Sequence, residues 1–182
     1  TWLLMKDIYE QRAWNSVALN SYSESTIHNY LNSEFLELID PDIQDVIKWV
    51  KIPYANASDA TDSTASSSMT DSTASGSMTD SIMSGSNGLA TKIFLLSLAE
   101  TGISYSYITA EGSILEYFTP SDYDARIGYY EGRACAWWLR SIYRGINNAA
   151  AYIVATGDVY WHTNANYGVR PAMILPSTLI VD

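Results

Sequence analysis

A tandem repeat in the middle of the chain sets the strongest limit on its fold. Asp62-Ser-Thr-Ala-Ser-Ser-Ser-Met-Thr70 is followed by Asp71-Ser-Thr-Ala-Ser-Gly-Ser-Met-Thr79, and a degraded third copy runs from Asp80 to Gly88. Serine, threonine and alanine offer little apolar area to set against the entropy of ordering the chain. A core must therefore come from the flanks, 1–55 and 89–182, with 56–88 as a linker or surface insertion. A calcium-binding nonapeptide array needs paired glycines and an aspartate at a set offset. These copies lack both.

At 182 residues the chain fits one domain, 1–182, carrying that insertion. Twenty acidic against ten basic residues leave a net charge of −10, which argues against a nucleic-acid-binding surface. The single cysteine excludes an internal disulfide framework and any multi-cysteine zinc site. No apolar run approaches the roughly 20 residues that span a bilayer, and no signal peptide is expected.

Local patterns place the elements. Trp2-Leu3-Leu4-Met5 reads as a short strand. Ile27, Tyr30, Leu31, Phe35 and Leu38 recur at helical spacing behind a Ser23 or Ser25 cap. Asp40-Pro41 predicts a cap with proline in the first turn of a second helix carrying Ile43, Val46 and Ile47. Trp49 to Ile52 and Lys92 to Ser97 read as strands, and Thr119 to Arg126 as a short capped helix. From Cys135 onward the reading is β. Ala149 to Ala155 and Asp158 to Thr163 flank a Thr156-Gly157 turn, and Gly168 to Leu175 forms a last strand with Pro171 at an edge or bulge.

Trp137-Trp138-Leu139-Arg140-Ser141, then Gly157-Asp158-Val159, then Gly168-Val169-Arg170-Pro171-Ala172 follow one another in the C-terminal half. Lys92 to Ser97 and Ser25 to Asn32 precede them in the matching order. The set resembles the C-type-lectin-fold domains of bacterial, archaeal and phage proteins, related to formylglycine-generating-enzyme-like domains. Within that group it is most similar to variable proteins diversified by retroelements. The resemblance covers most of the chain outside the repeat. It implies an α+β domain, two helices on a small twisted antiparallel sheet with much irregular structure, and a binding face made from the last loop and hairpin. It further implies a non-enzymatic protein that meets a protein or cell-surface ligand at a virion or cell surface, without catalytic residues, metal or cofactor. A structural or adhesion domain of the same fold is the alternative, and a formylglycine-generating-type enzyme a remote third.

In the diversified subgroup, adenine-directed mutagenesis of asparagine-type codons alters that face, and such codons cannot yield Lys, Glu, Gln, Met or Trp. From Leu139 to Ala172 this chain has no Lys, Glu, Gln or Met, and Trp161 is its one residue of the excluded set. Strand alternation then sorts the hairpin. With Ala149, Ala151 and Ile153 inward, Asn148, Ala150, Tyr152 and Val154 face out. Across the turn, Val159 and Trp161 face in while Asp158, Tyr160 and His162 face out. The expected binding set joins these outward residues to Tyr143, Arg144, Ile146 and Asn147 of the preceding loop and to Asn164 and Asn166. It is rich in tyrosine and asparagine, the composition that gives paratopes large contact area and adaptable hydrogen bonding.

Other features have plainer readings. Trp137 and Trp138 are expected in the core, and Arg140 and Arg170 as structural guanidinium groups that need a carboxylate or carbonyl partner. His28 reads as an ordinary surface or semi-buried histidine of the first helix, and two isolated histidines do not make a metal site. Cys135, between two alanines, reads as a buried inert thiol. The Glu-Pro-Asn, Gln-Pro-Asp and Trp-Asn-Asp strings of calcium-dependent sugar binding are missing from the sequence.

Overall fold

The computed structural model describes residues 1–16, 21–54, 88–105, 110–143, 149–162 and 165–178. The two flanks interleave, and the architecture is α+β, sheet-rich with short helices. β1 (Trp2–Leu4) pairs antiparallel with β12 (Ala172–Ile174), which pairs in turn with β5 (Ile93–Phe94). A five-stranded sheet runs β10-β9-β8-β11-β2. Its members are β2 (Glu10–Ala13), β8 (Trp137–Ile142), β9 (Ala150–Ile153), β10 (Val159–His162) and β11 (Asn166–Val169). β11 is antiparallel to β2 and parallel to β8.

Two small ribbons complete the strands among the described residues. β3 (Val50–Ile52) pairs with β4 (Leu89–Thr91), Ile52 opposite Leu89. The chain thus leaves for the repeat and returns from it at neighbouring positions, while 55–87 lie outside the described residues. β6 (Gly128–Tyr130) and β7 (Arg133–Cys135) join through Glu131 and Gly132, both at positive φ (49° and 76°). That is the backbone a two-residue hairpin turn demands, and glycine adopts it at no steric cost.

The caps expected from sequence form. Ser25 accepts from the His28 N–H at the start of α1 (Thr26–Leu31). Asp40 accepts from the Asp42 N–H at the start of α3 (Pro41–Val46), with Pro41 in its first turn. The helix expected to continue through Leu38 instead divides, with α2 (Glu34–Glu37) following a non-helical Ser33. Asn32 carries the reason. Its amide nitrogen donates to the Ile93 carbonyl (2.8 Å), and its amide oxygen accepts from the backbone N–H groups of Lys92 and Ile93 and from Thr91 Oγ1. A side chain that satisfies the β4–β5 junction this fully outweighs continued helix propensity.

Two other expectations are corrected. Thr119 to Arg126 holds turns and one 3₁₀ turn at Asp124–Arg126. The last strand is two, because the chain switches sheets at Arg170-Pro171, where proline has no N–H for a ladder. The core lies between the sheets and α1, with Trp137, Leu139, Ile153, Val169, Phe94, Leu96, Tyr22 and Ile27 all buried.

Candidate functional site

Buried arginines hold the hairpin's foundation. Arg140, wholly buried in β8, uses all five donors. Two meet the Glu100 carboxylate (2.6 and 2.7 Å) and the others meet the carbonyls of Leu95, Pro53 and Glu111. Next to it, Ser141 Oγ accepts from the Leu98 N–H and hydrogen-bonds the Glu111 carboxylate. Arg126 donates from Nε to the Gly157 carbonyl (2.9 Å), tying the hairpin turn to the 3₁₀ turn beneath it. Gly157 is required there. Its φ is +83°, and a Cβ would lie 2.1 Å from the Tyr123 carbonyl oxygen.

On this footing one face of the five-stranded sheet carries a row of rings. Tyr160 lies directly opposite Tyr152, and Tyr152 opposite Trp138. Tyr167 of β11 stacks on Tyr152 at 4.2 Å between centroids, and both pack against Trp138 (4.8 and 5.7 Å). Trp138 is wholly buried, its indole N–H donating to the Arg12 carbonyl at 2.9 Å. His162 meets Tyr152 and Tyr167 edge-on (6.4 and 6.0 Å). Burial, then the hydrogen bond with Tyr167, pushes the Tyr152 phenol up to about 12. At the far edge, Arg12 lies opposite Tyr167, with its guanidinium 3.3 Å over the Tyr30 ring and 2.9 Å from Glu10.

The expected binding residues divide among several places. Tyr160 (57% exposed), His162 and Asp158 are exposed, Tyr152 and Val154 are half-buried, and Val159 and Trp161 turn to the half-buried side. Ala150 shares the Tyr152 face by alternation but is 2% exposed, since a methyl flanked across the sheet by His162 and Ile142 does not reach the surface. Tyr143 is also corrected. It packs edge-on against Trp161 at 5.2 Å, on the opposite side of β10 from Tyr160 and His162. Asn166 is exposed, yet alternation with Tyr167 turns it to the other face. Arg144, Ile146, Asn147, Asn148 and Asn164 lie outside the described residues. Tyr167, at the centre of the ring cluster, lies outside the expected set because β11 begins at Asn166, two residues before the Gly168 start that the sequence pattern predicts.

Trp137 and Trp138 are core, as expected, and Arg140 has the carboxylate partner that its burial required. Cys135 is half-buried and not sealed. His28, expected at the surface or semi-buried, is instead buried against Thr91 (3.3 Å from Nε2 to Oγ1), and burial lowers its pKa.

A family model described as "Domain of unknown function (DUF6273)" matches residues 1–177. The chain belongs to this family. The match takes in both flanks and the repeat between them, so the family unit includes the sheet, the ring face and the arginine clamps alike. No curated protein and no solved structure matches the chain. Among the described residues of this DUF6273 domain, no group of three His, Cys, Asp or Glu side chains could hold a metal ion. No described helix is long and apolar enough to cross a membrane.

Proposed function

We propose that this domain is a non-enzymatic binding protein that presents a changeable recognition surface on a C-type lectin-like scaffold, diversified by a retroelement. One observation carries the reading. The exposed residues of the β9–β10 hairpin are Ala155, Thr156, Asp158, Tyr160 and His162, while Trp138 and the fully bonded Arg140 are wholly buried in the adjacent β8 and Arg126 holds the Gly157 carbonyl of the turn. Tyrosine and histidine rings at the surface provide broad contact area at low entropy cost, and the foundation keeps its bonds whatever the exposed side chains are. The residue types between Leu139 and Ala172 match what adenine-directed mutagenesis can reach, with Trp161 on the half-buried side. The target is a protein or a cell-surface molecule held by surface complementarity, without cofactor.

Sequencing the gene's surroundings tests this. A near-copy of the 3′ coding segment is expected beside a reverse-transcriptase gene, its differences from the coding copy confined to adenines. A locus with neither overturns diversification and leaves a structural or adhesion domain of the same scaffold.

A further inference from the structure

A second candidate site lies away from the hairpin, beside β1. A groove of about 660 Å³ opens between β1 and the 115–118 segment, walled by Trp2, Leu3, Leu4, Leu115, Tyr117 and Phe118. Arg170 lines it, at the point where the chain switches from β11 to β12. Among the described residues three arginines are buried, and of their side-chain nitrogens Arg170 Nη1 alone is both enclosed and without a hydrogen-bond partner. Arg140 fills all five donors and Arg126 reaches three carbonyls, whereas Arg170 gives Nε to the Met5 carbonyl (3.2 Å) and holds its Cζ 4.5 Å from the Trp137 ring centroid. Its Nη1 is buried with no hydrogen-bond partner, and the residue is 3% exposed. A buried donor with no acceptor in the chain calls for an explanation, and a bound ion or ligand is one.

We propose that the groove binds a small monocarboxylate with an apolar body, its carboxylate on the Arg170 guanidinium and its chain between β1 and the 115–118 segment. The planar fork of arginine matches a carboxylate, and apolar walls around one polar anchor are the usual make-up of a small-molecule site. Lys6 at the groove adds a second positive charge, while the exposed Glu116 carboxylate on the wall opposes ligands of higher negative charge. This site does not depend on the hairpin reading, because its residues belong to β1, the 115–118 segment and the β11–β12 corner.

Octanoate and octanol titrated into the whole chain by isothermal calorimetry, well below micelle formation, provide the test. Octanoate is expected to bind one to one and octanol about tenfold more weakly, the difference being one charge-assisted contact. Arg170→Gln should remove the preference. Should that variant fail to fold, Lys6→Glu decides the matter, because Lys6 is exposed at the groove and the reversal exchanges an attracting charge for a repelling one. It should weaken octanoate about tenfold. Equal affinity for octanoate and octanol, no saturable octanoate binding in the millimolar range, or undiminished binding by Lys6→Glu would overturn the proposal.

Discussion

Replacing Glu100 by glutamine should be among the most damaging single-atom changes available in this fold. The carboxylate holds Arg140 through two bonds of 2.6 and 2.7 Å and also accepts from the Ser97 N–H at 2.8 Å. Both partners are shut off from solvent. Burial opposes the charge on Arg140, and Glu100 more than offsets it, so the guanidinium titrates above its usual range. Glutamine keeps the shape but cancels the compensating charge and turns an NH₂ group toward guanidinium donors. Leaving a buried charge uncompensated costs about 3–5 kcal/mol. In a domain of this size that corresponds to a melting temperature lower by roughly 6–20 °C. Urea unfolding followed by tryptophan fluorescence at neutral pH reads the loss directly. Arg140→Met should cost at least as much, since it strands the carboxylate and three carbonyls together. The double variant should be clearly less destabilised than the sum, as expected for two groups in direct contact. A Glu100→Gln protein within about 1 kcal/mol of the parent would mean that the pair is relaxed or hydrated, and the clamp beneath the hairpin would lose its stated role.

Two further outcomes follow from the same geometry. Tyr160→Ala with His162→Ala should lower stability by no more than about 1 kcal/mol, while Trp138→Ala, which empties a wholly buried site, should cost about 3–5 kcal/mol. Comparable losses in thermal melts would show that the ring face is part of the core and not a replaceable surface. His28 is held neutral in the folded protein with its pKa below the ordinary 6.5, so its share of stability is complete above that pH. That share declines as the pH falls toward the folded-state value, because the unfolded chain then binds the proton more readily. Melting temperatures between pH 7.5 and 5 should therefore fall more steeply for the parent than for His28→Gln, and parallel curves would refute this.

Local chemistry determined part of this molecule on its own. The Ser25 and Asp40 caps, the proline in the first turn of α3, the Thr156-Gly157 hairpin and the alternation of Val159, Tyr160, Trp161 and His162 are each written within a few residues, and each is present in the fold. What only the tertiary structure decided involves partners far apart in the chain. Asn32 ends its helix to serve strands 59 to 61 residues away, and Arg140 finds its carboxylate 40 residues upstream at Glu100. Tyr167 joins the ring face because β11 lies against β8 and β2, while Ala150 and Tyr143 leave it because their neighbours across the sheet cover or engage them. Periodicity and capping act through the backbone over one or two turns, whereas a buried polar group takes whichever partner packing brings within reach, and no spacing along the chain encodes that choice.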